Sequence, residues 1–160
     1  MGTSGLFGFF YKGKYYVSYN HNDSYPSYLG SNIVNEVIQA NIDEWIQLLE
    51  KIKVIAPGEK PTPEDIEKLA KYTDLGVSDG TTQDWYCLLR QTQGSLNSVL
   101  QSGYLQNCFK SNGEPEHMNY SYIVNLDSHT FEYYAFGKKE KEVPLEKDDL
   151  DTLVKEWNVY

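Results

Sequence analysis

From residue 33 to residue 52 the apolar positions Ile33, Val34, Val37, Ile38, Ile42, Trp45, Ile46, Leu49 and Ile52 recur at three- and four-residue spacing. That is the period of an amphipathic helix, with Ser31 placed to cap it and a break near Asn41. The flanks carry other patterns. Residues 5–11 and 15–20 are aromatic and rich in strand formers, and Lys12-Gly13-Lys14 between them offers a glycine free to take positive φ. This predicts a β-hairpin. A second hairpin is predicted by the two-residue alternation over 119–126 and 130–136, around Asp127-Ser128-His129.

Between the hairpins lie caps and loops. Residues 21–30 read as a polar loop closed by Pro26 and Gly30, and 57–63 as a linker-like loop. Thr62-Pro63-Glu64-Asp65 combines an N-cap, a proline at the first helical position and an acidic first turn, opening a short helix that ends near Tyr72. Helices are expected over about 83–93 and 95–102, stopped at Gly94 and Gly103, with 73–82 and 104–118 irregular. The charge run Lys138 to Glu142 suits a solvated edge or loop, and Asp148 caps a last helix that ends at Trp157. The order β-β, helices, β-β, α predicts an α+β fold. It is an antiparallel sheet built from two β-hairpins, about 5–20 and 119–136, with four to five helices packed on it. No repeat or second linker interrupts residues 1–160, so a single domain is expected.

Charge narrows the partners. Fourteen Lys and Arg against 23 Asp and Glu give a net charge of −9. That balance argues against a nucleic-acid backbone and against an anionic membrane surface. Cys87 and Cys108 make neither a disulfide framework nor zinc spacing, and the acidic residues lack calcium-loop spacing. No nucleotide-loop, nucleophile-elbow or zinc-protease motif occurs, so neither metal nor cofactor is expected. Without a secretory or long apolar stretch, a cytoplasmic location is expected.

Three places carry candidate chemistry. The first is the turn Asn20-His21-Asn22-Asp23-Ser24-Tyr25 at the end of the second strand. His21 titrates near neutral pH and can act as acid or base, and Asp23 can orient it or bind a hydroxyl. The second is the N-terminal Gly2-Thr3-Ser4-Gly5, with two hydroxyls and glycine amides suited to an anion. The third is the stretch Trp85, Tyr86 and Arg90, where Arg90 is the only arginine beside 13 lysines. A guanidinium clamps phosphate or carboxylate bidentately, and the 14 tyrosines of the chain offer rings for stacking.

The residues Met1-Gly2-Thr3-Ser4-Gly5, Gly8-Phe9 and Tyr19-Asn20-His21-Asn22-Asp23-Ser24-Tyr25-Pro26 resemble a family of small uncharacterised phage proteins with longer fungal members. The likeness extends to Trp85-Tyr86-Cys87-Leu88-Leu89-Arg90, to Gln93-Gly94 and to the stretch from Tyr120 to Tyr133. That family often carries arginine at its fourth position, where this chain has Ser4. The start also bears a distant likeness to N-terminal-nucleophile hydrolases. Their chemistry needs the nucleophile's own amine; with Gly2 leading after loss of Met1, a second cleavage would be needed to expose Thr3.

The phage resemblance implies a protein of the host cytoplasm that counters host defence through a small nucleotide signal. Three readings stay open. In the first the protein binds a small nucleotide-type ligand, with Tyr19, Tyr25, Trp85 or Tyr86 stacking on a ring and Thr3, Ser4, His21 and Arg90 holding anionic groups; Asn20 and Asp23 complete that site. In the second it is a hydrolase in which Thr3 or Ser4 attacks, His21 shuttles the proton and Asp23 or Asn20 orients it. In the third, exposed tyrosines form a protein contact or a homo-oligomer interface.

Overall fold

The computed structural model describes residues 3–108, 114–116 and 119–158. β1 (Gly5–Tyr11) and β2 (Lys14–Asn20) form the first predicted hairpin, and β5 (Tyr120–Asn125) and β6 (Thr130–Ala135) the second. β7 (Lys138–Pro144) adds an outer strand, giving the order β2-β1-β5-β6-β7. The two hairpins meet through β1 and β5, which run parallel with Phe7 opposite Tyr122. The sheet is therefore antiparallel except at this one junction. Parallel neighbours need a long crossover, and the helices between β2 and β5 provide it. Lys12 and Gly13 both take positive φ, as a two-residue hairpin turn requires. The carboxylate of Asp127 accepts their amides at 2.7 and 2.9 Å, so the second hairpin's turn fixes the first.

Four helices cover one sheet face: α1 (Ser31–Gln39), α2 (Ile42–Glu50), α5 (Leu96–Ser102) and α6 (Lys147–Trp157). Phe7, Phe9, Tyr122, Val124 and Phe131 alternate onto that face and are buried against them. Each such aromatic contributes on the order of 1.5–3 kcal/mol. Beside β2 lies a smaller cluster of Ile55, Leu69, Tyr72, Trp85, Leu88, Leu89 and Tyr104. It is built from β3 (Lys53–Val54), α3 (Pro63–Lys68), α4 (Trp85–Leu88) and β4 (Tyr104–Leu105), with β3 and β4 paired in parallel.

Local chemistry explains most helix ends. Ala40 is extended, and Asn41 accepts the Glu44 amide to start α2, which is the expected break. Thr62 and Asp65 form a reciprocal capping box, and Tyr104 donates to the same Asp65 carboxylate at 2.6 Å. Ser95 caps α5, and Gly103 ends it in the left-handed conformation.

Other expectations need correction. Ser31 does not cap α1, because a π-helical turn at Pro26–Gly30 runs straight into that helix and the Ser31 hydroxyl donates to Pro26 O. The helix expected over 83–93 shortens to α4 and a 3-10 turn at Arg90–Thr92, where Leu89 leaves helical geometry and its carbonyl accepts from Thr92 Oγ1. Asp148 lies in the first turn of α6 rather than at its cap. The charge run is a strand, β7, whose lysines, Pro144 and bulge opposite Tyr133 and Tyr134 are features that keep an edge from pairing. The described residues hold six α-helices, four of them packed on the sheet as the α+β reading expects. None is long and apolar enough to cross a membrane, and no cluster of three metal-ligating side chains occurs among these residues.

Candidate functional site

The hairpin register sets Tyr19 opposite Leu6 at the end of β2, on the sheet face away from the four helices. The chain then turns sharply. Ser24 is fully buried and donates its amide to Thr3 O at 3.0 Å, while Tyr122 reaches across the sheet to donate to Ser24 O at 2.7 Å. Asn20 braces the inside of the turn, donating to Asn22 O and to Ser24 Oγ. These bonds pack the N-terminal lead-in against the turn and bring Ser4 to Tyr19.

Tyr19 is the centre of the resulting cluster. Its phenol lies 2.9 Å from His21 Nδ1 and hydrogen-bonds the Ser4 hydroxyl. Burial pushes this phenol up, and Tyr86 and Cys108 add to the rise; Ser4 and the Arg90 guanidinium oppose it. The phenol and Nδ1 share one hydrogen bond, and which of the two donates follows the tautomer of His21. The main-chain amide of His21 donates to Gln93 Oε1 at 2.9 Å, which anchors the turn to the segment after Arg90. Tyr19→Phe is expected to lower stability by no more than about 1.5 kcal/mol. It should also remove the partner of Nδ1, so that the nitrogen-15 resonances of the His21 ring shift.

Across from Tyr19 stands Tyr86, with ring centroids 6.2 Å apart. Asp84 positions this second wall: its carboxylate accepts the Tyr86 amide at 2.9 Å and the Ser78 hydroxyl at 2.8 Å. Burial pushes the Asp84 carboxyl up, but Ser78 and the Tyr86 amide outweigh it and hold the group below the usual carboxylate range. A depressed carboxyl contributes stability present above its unfolded pKa and lost as pH falls through the folded value. Acidification below the usual carboxylate range should therefore loosen this wall, seen as faster amide exchange at Tyr86. Asp84→Asn should remove the pH dependence.

Tyr19, His21, Val77, Ser78 and Tyr86 enclose an open cleft of about 560 Å³. This lies within the roughly 300–1,000 Å³ typical of small-molecule sites. Arg90 lies beside Tyr19 and is the anomaly of the region. Its Nε is buried and has no hydrogen-bond partner, the one such side-chain atom among the described residues. Nor does any acidic side chain pair with it among those residues, in a chain carrying 23 of them.

The structure thus gathers Ser4, Tyr19, His21, Tyr86 and Arg90, with Thr3 joining through its main chain. Asn20 and Asp23 shape the turn instead. Asp23 sits at φ +54, exposed, and its carboxylate makes no hydrogen bond or ion pair among the described residues; Tyr19, not Asp23, is the partner of His21. Trp85 is a core residue, 5 % exposed, with its indole N–H on Glu59 O at 2.8 Å. Tyr25 packs against Tyr28 and Tyr120, and Phe136 joins Tyr120 from the β6–β7 turn, 73 % exposed. Val77, Ser78 and Gln93 were not expected at the site; only the neighbourhood of Gln93 to Gly94 hinted at it. His129 is exposed in its hairpin turn, and Met1, Gly2 and His117 lie outside the described residues. Family models, curated proteins and solved structures yield no match to the chain, so the site's own geometry carries the functional reading.

Proposed function

We propose that this protein binds a small ligand that joins an aromatic ring to an anionic group, of the nucleotide type, in the Tyr19–Tyr86 cleft. The observation that carries this is Arg90: a lone guanidinium beside the cleft wall, with a buried donor that nothing among the described residues satisfies. Buried polar groups are almost always paired, and an orphan calls for an external partner. Tyr19 and Tyr86 flank the ring, while the His21 imidazole and the oxygen of Ser78, whose proton goes to Asp84, add polar contacts. In the phage setting implied by the N-terminal resemblance, such a binder sequesters a host nucleotide signal and so counters host defence.

The hydrogen-bonded chain Ser4–Tyr19–His21 favours one second reading, a hydrolase in which Ser4 reaches its base through a phenol. Both readings meet in one experiment, a thermal-shift screen against nucleotides, cyclic dinucleotides and ADP-ribose derivatives, with mass spectrometry of each mixture. A compound that raises the midpoint and is recovered intact supports the binder. A compound recovered cleaved makes the chain an enzyme. No shift with any of them overturns the ligand reading and turns attention to the exposed rings of Tyr25, Tyr28 and Phe136.

A further inference from the structure

A second cavity, of about 570 Å³, opens on the other side of the helical layer, between α1, α2 and α5. Its lining is dominated by side-chain amides. Asn32, Asn35 and Gln39 stand along the exposed side of α1, and Asn97 and Gln101 face them from α5. Asparagine is a poor helix former, and an exposed helical position that packing does not decide is normally filled by a better one. Two asparagines three residues apart on α1, both exposed, run against that preference and call for another role.

The groove is also held in shape. Glu36 on α1 accepts from the Ser95 hydroxyl at 2.6 Å and from the Leu96 and Asn97 amides at 2.8 and 3.2 Å, which ties α1 to the start of α5. Trp45 donates its indole N–H to Asn97 Oδ1 at 2.8 Å, and the Glu44 amide donates to Asn41 Oδ1 at 3.2 Å. With their oxygens engaged, Asn97 and Asn41 are oriented, and each leaves an NH2 group free to donate. Asn32, Asn35, Gln39 and Gln101 make no side-chain hydrogen bond among the described residues, so each offers both a donor and an acceptor.

We infer that this groove is a binding site for a neutral, polyhydroxylated ligand of the saccharide class. Hydroxyls both donate and accept, as amides do, so the two sets match without any net charge. No lysine or arginine lines the groove, and Glu36 and Glu44 do, which disfavours an anion. Its apolar lining is Ala40, Leu48 and the nearly buried Trp45, with no deep side-chain pocket of the kind a peptide anchor fills. The site is independent of the Tyr19–Tyr86 cleft, with which it shares no lining residue.

The test is nitrogen-15 NMR of the side-chain NH2 groups, titrating the intact chain with cellobiose and with N,N′-diacetylchitobiose. The expected result is saturable shifts of the Asn35, Gln39, Asn97 and Gln101 amides with at least one disaccharide. The double variant Asn35→Ala/Gln39→Ala should bind at least about tenfold more weakly. Its melting temperature should stay the same or rise, because alanine is the better helix former. Arg90→Met should bind the disaccharide as wild type does. No shift at the groove amides with either probe, shifts confined to the Gln93 side-chain amide beside the Tyr19–Tyr86 cleft, or unchanged affinity in the double variant would each overturn the proposal.

Discussion

Replacing Arg90 by methionine should sharply weaken retention of the anionic ligand while leaving the fold at least as stable as before. Methionine keeps an unbranched apolar stem of similar reach and removes the guanidinium. A hydrogen bond to a charged partner contributes about 1.5–3 kcal/mol, so losing it weakens binding by roughly ten- to hundredfold. In the free protein the same change removes a buried N–H that has no acceptor among the described residues, and such an orphan costs about 1–3 kcal/mol. The two effects have opposite signs, which makes the variant diagnostic. Calorimetric titration with the best compound from the ligand screen gives the first, and a thermal melt gives the second. Arg90→Lys should fall between, since an ammonium keeps the charge but not the planar fork. If Arg90→Met melts well below wild type, the arginine is a packing residue and the ligand reading loses its main support. If it binds as wild type does, the anion is held elsewhere.

How far the chain could be read without coordinates depended on whether the deciding interactions are local. The break at Asn41, the cap at Thr62 and the stop at Gly103 were legible, because each rests on a side chain bonding its own backbone or on a single left-handed residue. Both hairpins were legible for the same reason. The parallel seam between β1 and β5 was not, since it joins segments more than a hundred residues apart and no local pattern encodes it. The helix expected over 83–93 failed where tertiary packing took over: Trp85, Leu88 and Leu89 all face one small cluster, and Leu89 leaves helical geometry there. β7 was read as an edge or loop because its lysines and glutamates look solvated, and an edge strand is where such residues belong.

The candidate site followed the same division. His21, Tyr19 and Tyr86 were named from residue type alone, and the fold places them around one cleft. An aspartate two residues from a histidine reads as its orienting partner, yet a left-handed turn leaves Asp23 in solvent and the phenol two residues on the other side takes that role. Trp85 looked like a stacking platform because tryptophan often is one. Its indole is instead spent on Glu59 O inside the smaller core. The amide groove had no sequence signature at all, because Asn32, Asn35 and Gln39 read simply as the polar side of an amphipathic helix.

Gly8→Ala should be the most damaging single-methyl change tested in this fold. A Cβ at Gly8 would lie 2.0 Å from Tyr16 O and 2.7 Å from Val17 Cα, both main-chain atoms of β2. β1 is paired on both sides, to β2 and to β5, so it cannot move away from one neighbour without opening the other ladder. Overpacking against side chains typically costs about 1–3 kcal/mol, and a clash with backbone has no rotamer through which to relax, so the loss should reach or exceed the top of that range. Gly13→Ala is the informative control. It has nothing within 4 Å of the added methyl but sits at φ +75, so its loss reflects left-handed strain alone, on the order of 1–2 kcal/mol. Urea unfolding should rank Gly8→Ala well below Gly13→Ala in midpoint. Equal midpoints would mean that β2 slides past β1 at little cost, and the rigid register that carries Tyr19 and His21 to the cleft would have to be abandoned.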